Sequence, residues 1–127
     1  MSFDRASGGW FKTEGAGDLT ACGETLAVVR KKALLRILAH RDADRANIRP
    51  ADAEVQATSE QFRRNYGLAD GNELADWMAH QGLTEAAYAR AMHDFTIVRL
   101  LEEAYAEEIN ELVPDHIAIA TARLRQT

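Results

Sequence analysis

The sequence predicts an all-α protein, and two observations carry that prediction. Apolar residues recur at steps of three and four through most of the chain, and no segment alternates with period two long enough to make a strand. Glycines and capping residues then punctuate this pattern. Between Phe62 and Tyr88 one helix should end at Gly67, a short capped helix should end at Gly82, and a long helix should begin at Thr84. The expected architecture is a single-domain helical bundle of about five helices.

The elements follow in order. Residues 1–19 hold four of the eight glycines and little periodic apolar pattern, so they read as an irregular arm before a helical domain at 20–127. Trp10 and Phe11 interrupt that arm. A Trp-Phe pair in solvent is wasteful, so the arm is expected to dock, either over a gap in the core or along a groove. The first helix is expected over 20–42. Leu26, Val29, Ala33 and Ile37 follow helical spacing, and Val28, Leu34, Leu35 and Leu38 widen the stripe past one face. Residues 41–47 read as a polar link.

Pro50 suits the first turn of the second helix, where its missing N–H costs nothing. Val55, Thr58, Phe62 and Tyr66 give that helix a narrow apolar stripe, and Gly67 supplies the left-handed residue that ends it. Asp70 with Glu73 resembles a capping box opening the short third helix, with Leu74, Trp77 and Met78 on its inner face. The fourth helix is expected to run unbroken over 85–112. Its stripe is Tyr88, Met92, Phe95, Val98, Leu101, Tyr105, Ile109 and Leu112. About 28 residues make a rod of roughly 42 Å. Pro114 should break it, and a last helix should follow from Asp115 to about Arg125, with Ile117, Ile119 (or Ala120) and Leu124 inward.

Composition narrows the function. At 127 residues, 46% hydrophobic and 28% charged, the chain has the makeup of a soluble globular domain with a core of its own. No apolar run approaches the roughly 18 residues of a membrane span. The first ten residues lack a basic stretch followed by an apolar one, which points away from a secretory signal and towards the cytoplasm. The single Cys22 rules out an internal disulfide. Residues 1–66 hold 11 Lys/Arg against 9 Asp/Glu, whereas residues 67–127 hold 4 against 11. An acidic second half argues against nucleic acid as the partner. The basic Arg30, Lys31, Lys32 and Arg36 and the acidic Glu102, Glu103, Glu107, Glu108 and Glu111 read as solvated or mutually pairing faces, or as an acidic face for a basic peptide.

Catalytic signatures are weak. Asp76 and His80 share a helix face at i, i+4, which reads as a surface ion pair or half of a metal site. His93 and Asp94 are neighbours in sequence, so their side chains are expected to diverge. Neither a His-Glu-x-x-His nor a Glu-x-x-His arrangement occurs. Cys22 stands near a helix start, but His40 is far from it in sequence, so it reads as a packing residue. No phosphate-binding glycine loop, metal site or cofactor is expected.

The pattern resembles the N-terminal helical domain of SurA-type, parvulin-associated chaperones. The matching segments are Ala33–Ala39, Ile48–Val55, Phe62–Gly67 and Gly82–Met92, with the Gly82-Leu83-Thr84-Glu85 turn opening the long helix and Ile97–Leu101 as an apolar run within it. The resemblance spans roughly residues 28–112. It implies a groove between helices that binds unfolded or extended peptides. Such chaperones normally carry a separate isomerase domain, for which 127 residues leave no room, so a stand-alone relative is expected. Similar stand-alone proteins accompany the maturation of ribosomally made peptides.

The expected function is therefore that of a peptide-binding, chaperone-like accessory protein whose partner is a peptide or protein client, with no nucleic acid and no membrane. Trp10, Trp77, Met78, Tyr88 and Met92 are the candidate peptide-binding residues, a Met- and aromatic-rich set suited to adaptable contact. The alternative is a small helical enzyme of specialised metabolism whose pocket draws on His80, His93, Tyr88 and Glu102. A long open apolar groove would favour the binder, and converging polar groups in a closed pocket the enzyme.

Overall fold

Each helix begins and ends where a side chain or a left-handed residue satisfies its orphan backbone groups. The computed structural model describes residues 22–125. The arm at 1–19, Trp10 included, lies outside them. Five helices follow one another: α1 (Leu26–Ala46), α2 (Asp52–Asn65), α3 (Gly71–Gln81), α4 (Glu85–Ala104) and α5 (Ala106–Leu124). There is no strand among the described residues, as the period of the apolar pattern requires.

The first helix is shifted from its expected bounds. Thr25 caps α1 by accepting from the Val28 N–H at 3.3 Å. The stretch expected as a polar link is helical as far as Ala46, where Asn47 turns left-handed at φ 58°. The Ile48 N–H then reaches back to the Ala43 carbonyl at 2.8 Å, and Ile48 packs on the core beside Ala43. This is a C-terminal cap with its apolar clasp, built on Asn rather than Gly. Pro50 lies before α2 rather than in its first turn. The start is held instead by Glu54, whose carboxylate accepts from the Ala51 N–H at 2.8 Å.

The glycine stops are where the sequence put them. Gly67 has φ 69° and Gly82 φ 68°. The Leu68 and Leu83 amides donate back to Arg63 and Met78. Asp70 caps α3 through the Asn72 amide, and Thr84 caps α4 through the Ala87 amide.

The expected single helix over 85–112 is corrected to two. It ends at Ala104, and Tyr105, at φ −107° and ψ 22°, separates it from α5. The Tyr105 side chain is tied to another helix, the hydroxyl donating to Asp42 on α1 at 2.7 Å. Pro114 does not break the chain but lies inside α5. It removes one N–H from an exposed helix, where the freed carbonyl of Asn110 can take water instead.

Helix α4 is the spine, and α1 and α2 pack against it. Where α1 crosses, the contact is made by Ala39, Ala43 and Ile97, with Ile48, Val98 and Leu101 around them. Two alanines let the backbones approach, which is why so short a list suffices. Where α2 and α3 meet α4, Phe62 gathers Tyr66, Trp77 and Tyr88 within 6.0 Å between ring centroids. Thr96, fully buried, bonds Thr58 across α2 at 2.7 Å and donates to the Met92 carbonyl.

The remaining apolar surface is unusually open. Phe95 and Ile109, expected inward, are exposed; Phe95 lies beneath the Arg36 guanidinium, 5.8 Å from ring centroid to charge. On α1, Leu34, Leu35, Ile37 and Leu38 are about half exposed. On α5, where inward positions were expected, Ile117 is 61% and Ile119 67% exposed, and only Ala120 is partly covered. No helix of the described residues is long and apolar enough to cross a membrane.

Candidate functional site

Two concave regions flank the crossing of α1 and α4. The larger is an open groove of about 770 Å³ between α1, α4 and the start of α5. Its walls are Leu35 and Leu38 from α1, Val98 and Leu101 from α4, and Ile109 from α5. These residues share it because α1 is apolar beyond the stripe that Ala39 and Ala43 use for packing. The groove's ends are polar. Asp42 is ion-paired with Arg45 and accepts from Tyr105, and the two contacts hold its carboxyl below the usual range, the Tyr105 hydrogen bond chiefly and Arg45 next. Tyr105 is pushed up in turn, by the carboxylate it serves. Arg41 and Glu102 stand on opposite sides of the rim.

The second region lies on the other flank of α1, a cavity of about 480 Å³ bordered by Arg36, His40, Arg41, Arg90 and Asp94. Arg41 lines both regions. Asp94 is buried, 6% exposed. Arg36 grips its Oδ2 with Nε and Nη2, both at 2.9 Å. Its Oδ1 accepts no hydrogen bond. His40 Nε2 and His93 Nδ1 each stand 3.8 Å from that oxygen, and their rings are 5.9 Å apart.

The chain finds no match among protein-family models, curated proteins or solved structures.

The residues singled out in the sequence are distributed differently from expectation. Met78 and Met92 are buried core residues. Trp77 is half-buried against Phe62. Tyr88 is half-buried and bonds Ser59 through its hydroxyl at 2.7 Å. Met78 and Tyr88 do border a further cavity of about 500 Å³ with Leu74 and Leu83, but Trp77 and Met92 do not line it. Asp76 and His80 are exposed and form no ion pair with each other. Glu102 reaches the groove rim, away from His80 and Tyr88. His93 and Asp94, expected to diverge, lean together on one point.

His40 is the residue that sequence reading missed. It lies on α1 between Ala39 and Arg41, and only the helix crossing brings it to a pair 53 positions downstream. The sequence did carry one signal: an imidazole beside the apolar stripe of α1 with Arg36 and Asp44 one turn away.

Proposed function

We propose that the chain binds a peptide in the groove between α1 and α4 and holds it without covalent turnover. The single observation that supports this is the open apolar trough walled by Leu35, Leu38, Val98, Leu101 and Ile109. Such a trough takes the apolar face of a helix or the side chains of an extended segment. Arg41 on one side and Glu102 on the other make the rim polar in opposite senses, which orients a client that carries charge beside its apolar positions. The SurA-like order of stops and caps is consistent with the same role, including service to a ribosomally made peptide. Affinity is modest, because an unstructured client is ordered as it binds.

A labelled amphipathic peptide, titrated by fluorescence anisotropy, tests the proposal. Binding should saturate, and Leu38→Glu and Leu35→Glu should each weaken it about tenfold or more while the helical circular dichroism is retained. Sedimentation of the same variants identifies the competing occupant. If the wild type forms a dimer that Leu38→Glu dissociates, and no peptide binds, a second copy fills the groove and the proposal fails.

A second role, as a small helical enzyme, is favoured by the convergence of His40, His93 and Asp94. Mass-resolved conversion of a small substrate, lost in His93→Gln, would establish it.

A further inference from the structure

We infer that His40, His93 and Asp94 form a site for a first-row divalent transition-metal ion, with Zn²⁺ the best fit. Their ligand atoms all lie within 4.8 Å of one another. Three features make this more than a chance meeting of polar groups.

The first is the state of Asp94. Its carboxylate is buried, and Arg36 satisfies one oxygen only. The other oxygen is buried, accepts no hydrogen bond and faces both imidazoles. A buried acceptor without a partner is uncommon and costly, and calls for a ligand. The histidines do not fill that role themselves, since 3.8 Å is beyond hydrogen-bond reach. It is a separation that an ion between them would draw in. Metal bonds of roughly 2.0–2.2 Å from imidazole nitrogen and carboxylate oxygen place neighbouring ligand atoms slightly closer than this. The side chains of His40 and His93 are 48% and 42% exposed, so small rotations can close the gap.

The second is the donor set. Two imidazoles and one carboxylate suit zinc and its first-row neighbours, whereas Mg²⁺ and Ca²⁺ demand oxygen ligands. Arg36 cancels the Asp94 charge, so the ion is held mainly by neutral nitrogen. His40 also has an outer partner, with Nδ1 3.8 Å from the Asp44 carboxylate. At that distance it makes no hydrogen bond, but a short movement of the exposed Asp44 would let it orient a ligating imidazole.

The third is the open side. Three protein ligands leave a coordination position vacant, as in catalytic zinc sites. Here the cavity that His40 and Asp94 border is also bordered by Arg41 and Arg90. Their charge works against a bare cation but suits an anion that completes its shell, so the exchangeable ligand is a carboxylate or similar group.

The test is a titration of chelator-treated protein with Co²⁺, read by visible absorption, and with Zn²⁺, read by calorimetry. One equivalent should bind, with the intense visible bands of low-coordinate Co²⁺. His40→Gln and His93→Gln should each weaken binding about tenfold or more, and His80→Gln and His116→Gln should leave it unchanged. Both test residues are solvent-facing, and circular dichroism confirms that the variants fold. Adding acetate should perturb the Co²⁺ spectrum. Absence of stoichiometric binding, or binding insensitive to His40→Gln and His93→Gln, overturns the site.

Discussion

The Tyr105 hydroxyl donates a 2.7 Å hydrogen bond to Asp42, joining residues 63 positions apart at the point where α4 gives way to α5. The contact lies at one end of the apolar groove and ties α1 to the bend. Its electrostatics are reciprocal: the Tyr105 hydrogen bond, with Arg45 next, holds the Asp42 carboxyl below the usual carboxylate range, and the Asp42 carboxylate pushes the Tyr105 phenol above its usual range.

These shifts give the contact a pH window. A carboxyl whose folded pKa is depressed contributes stability above its unfolded pKa, and loses it as pH falls through the folded value. A phenol whose folded pKa is raised contributes below its unfolded pKa and loses that as pH climbs through the folded value. Tyr105→Phe should therefore lower the melting temperature between these limits. Its deficit relative to wild type should shrink in strong acid and again in strong alkali. A pH-independent deficit, followed by circular dichroism, would show that packing rather than the hydrogen bond is at stake.

At the α1–α4 crossing, Ile97 is 2% exposed against Ala39 and Ala43. Ile97→Ala should cost about 2–5 kcal/mol in urea denaturation, through lost transfer energy and the cavity left behind. Leu101→Ala should cost less, because Leu101 is only half-buried at the groove wall. Equal losses would mean that the groove is closed in solution.

Gly82 holds φ 68° where α3 stops. Gly82→Val should destabilise by about 1–3 kcal/mol, since a β-branched residue is strained there. Gly82→Asn should recover most of that loss, as Asn47 shows that this chain tolerates a left-handed asparagine at a helix end. Chemical denaturation of the two variants side by side checks both statements.

Local features of this fold were legible in the sequence. Thr84, Asp70, Gly67 and Gly82 act through atoms a few residues away, so spacing alone reveals them. The bend at Tyr105 was not legible, because neither Gly nor Pro marks it and its partner lies on another helix. Pro114 misled for the complementary reason: an exposed helix can forfeit one hydrogen bond to water. The Met78 and Met92 set was recognised as apolar and at helical spacing, but spacing does not tell a buried stripe from a binding surface. The α1 stripe widens past one face in the sequence, yet α4 covers one side only, and Leu35 and Leu38 line the open groove. The polar cluster escaped because adjacent residues such as His93 and Asp94 can still converge on a third group that lies between their directions.

The exposed apolar residues of α5 open this chain's thermal stability to its surroundings as well as to its sequence. Ile117 and Ile119 contribute little to the protomer while they face water. Whatever sequesters them binds the folded form alone, and its free concentration then enters the unfolding equilibrium logarithmically. Melting temperatures measured on the purified chain at different dilutions therefore act as a readout of occupancy. A curve that rises with concentration identifies a protein that covers these residues with a second copy, and one that is flat with dilution shows that it does not.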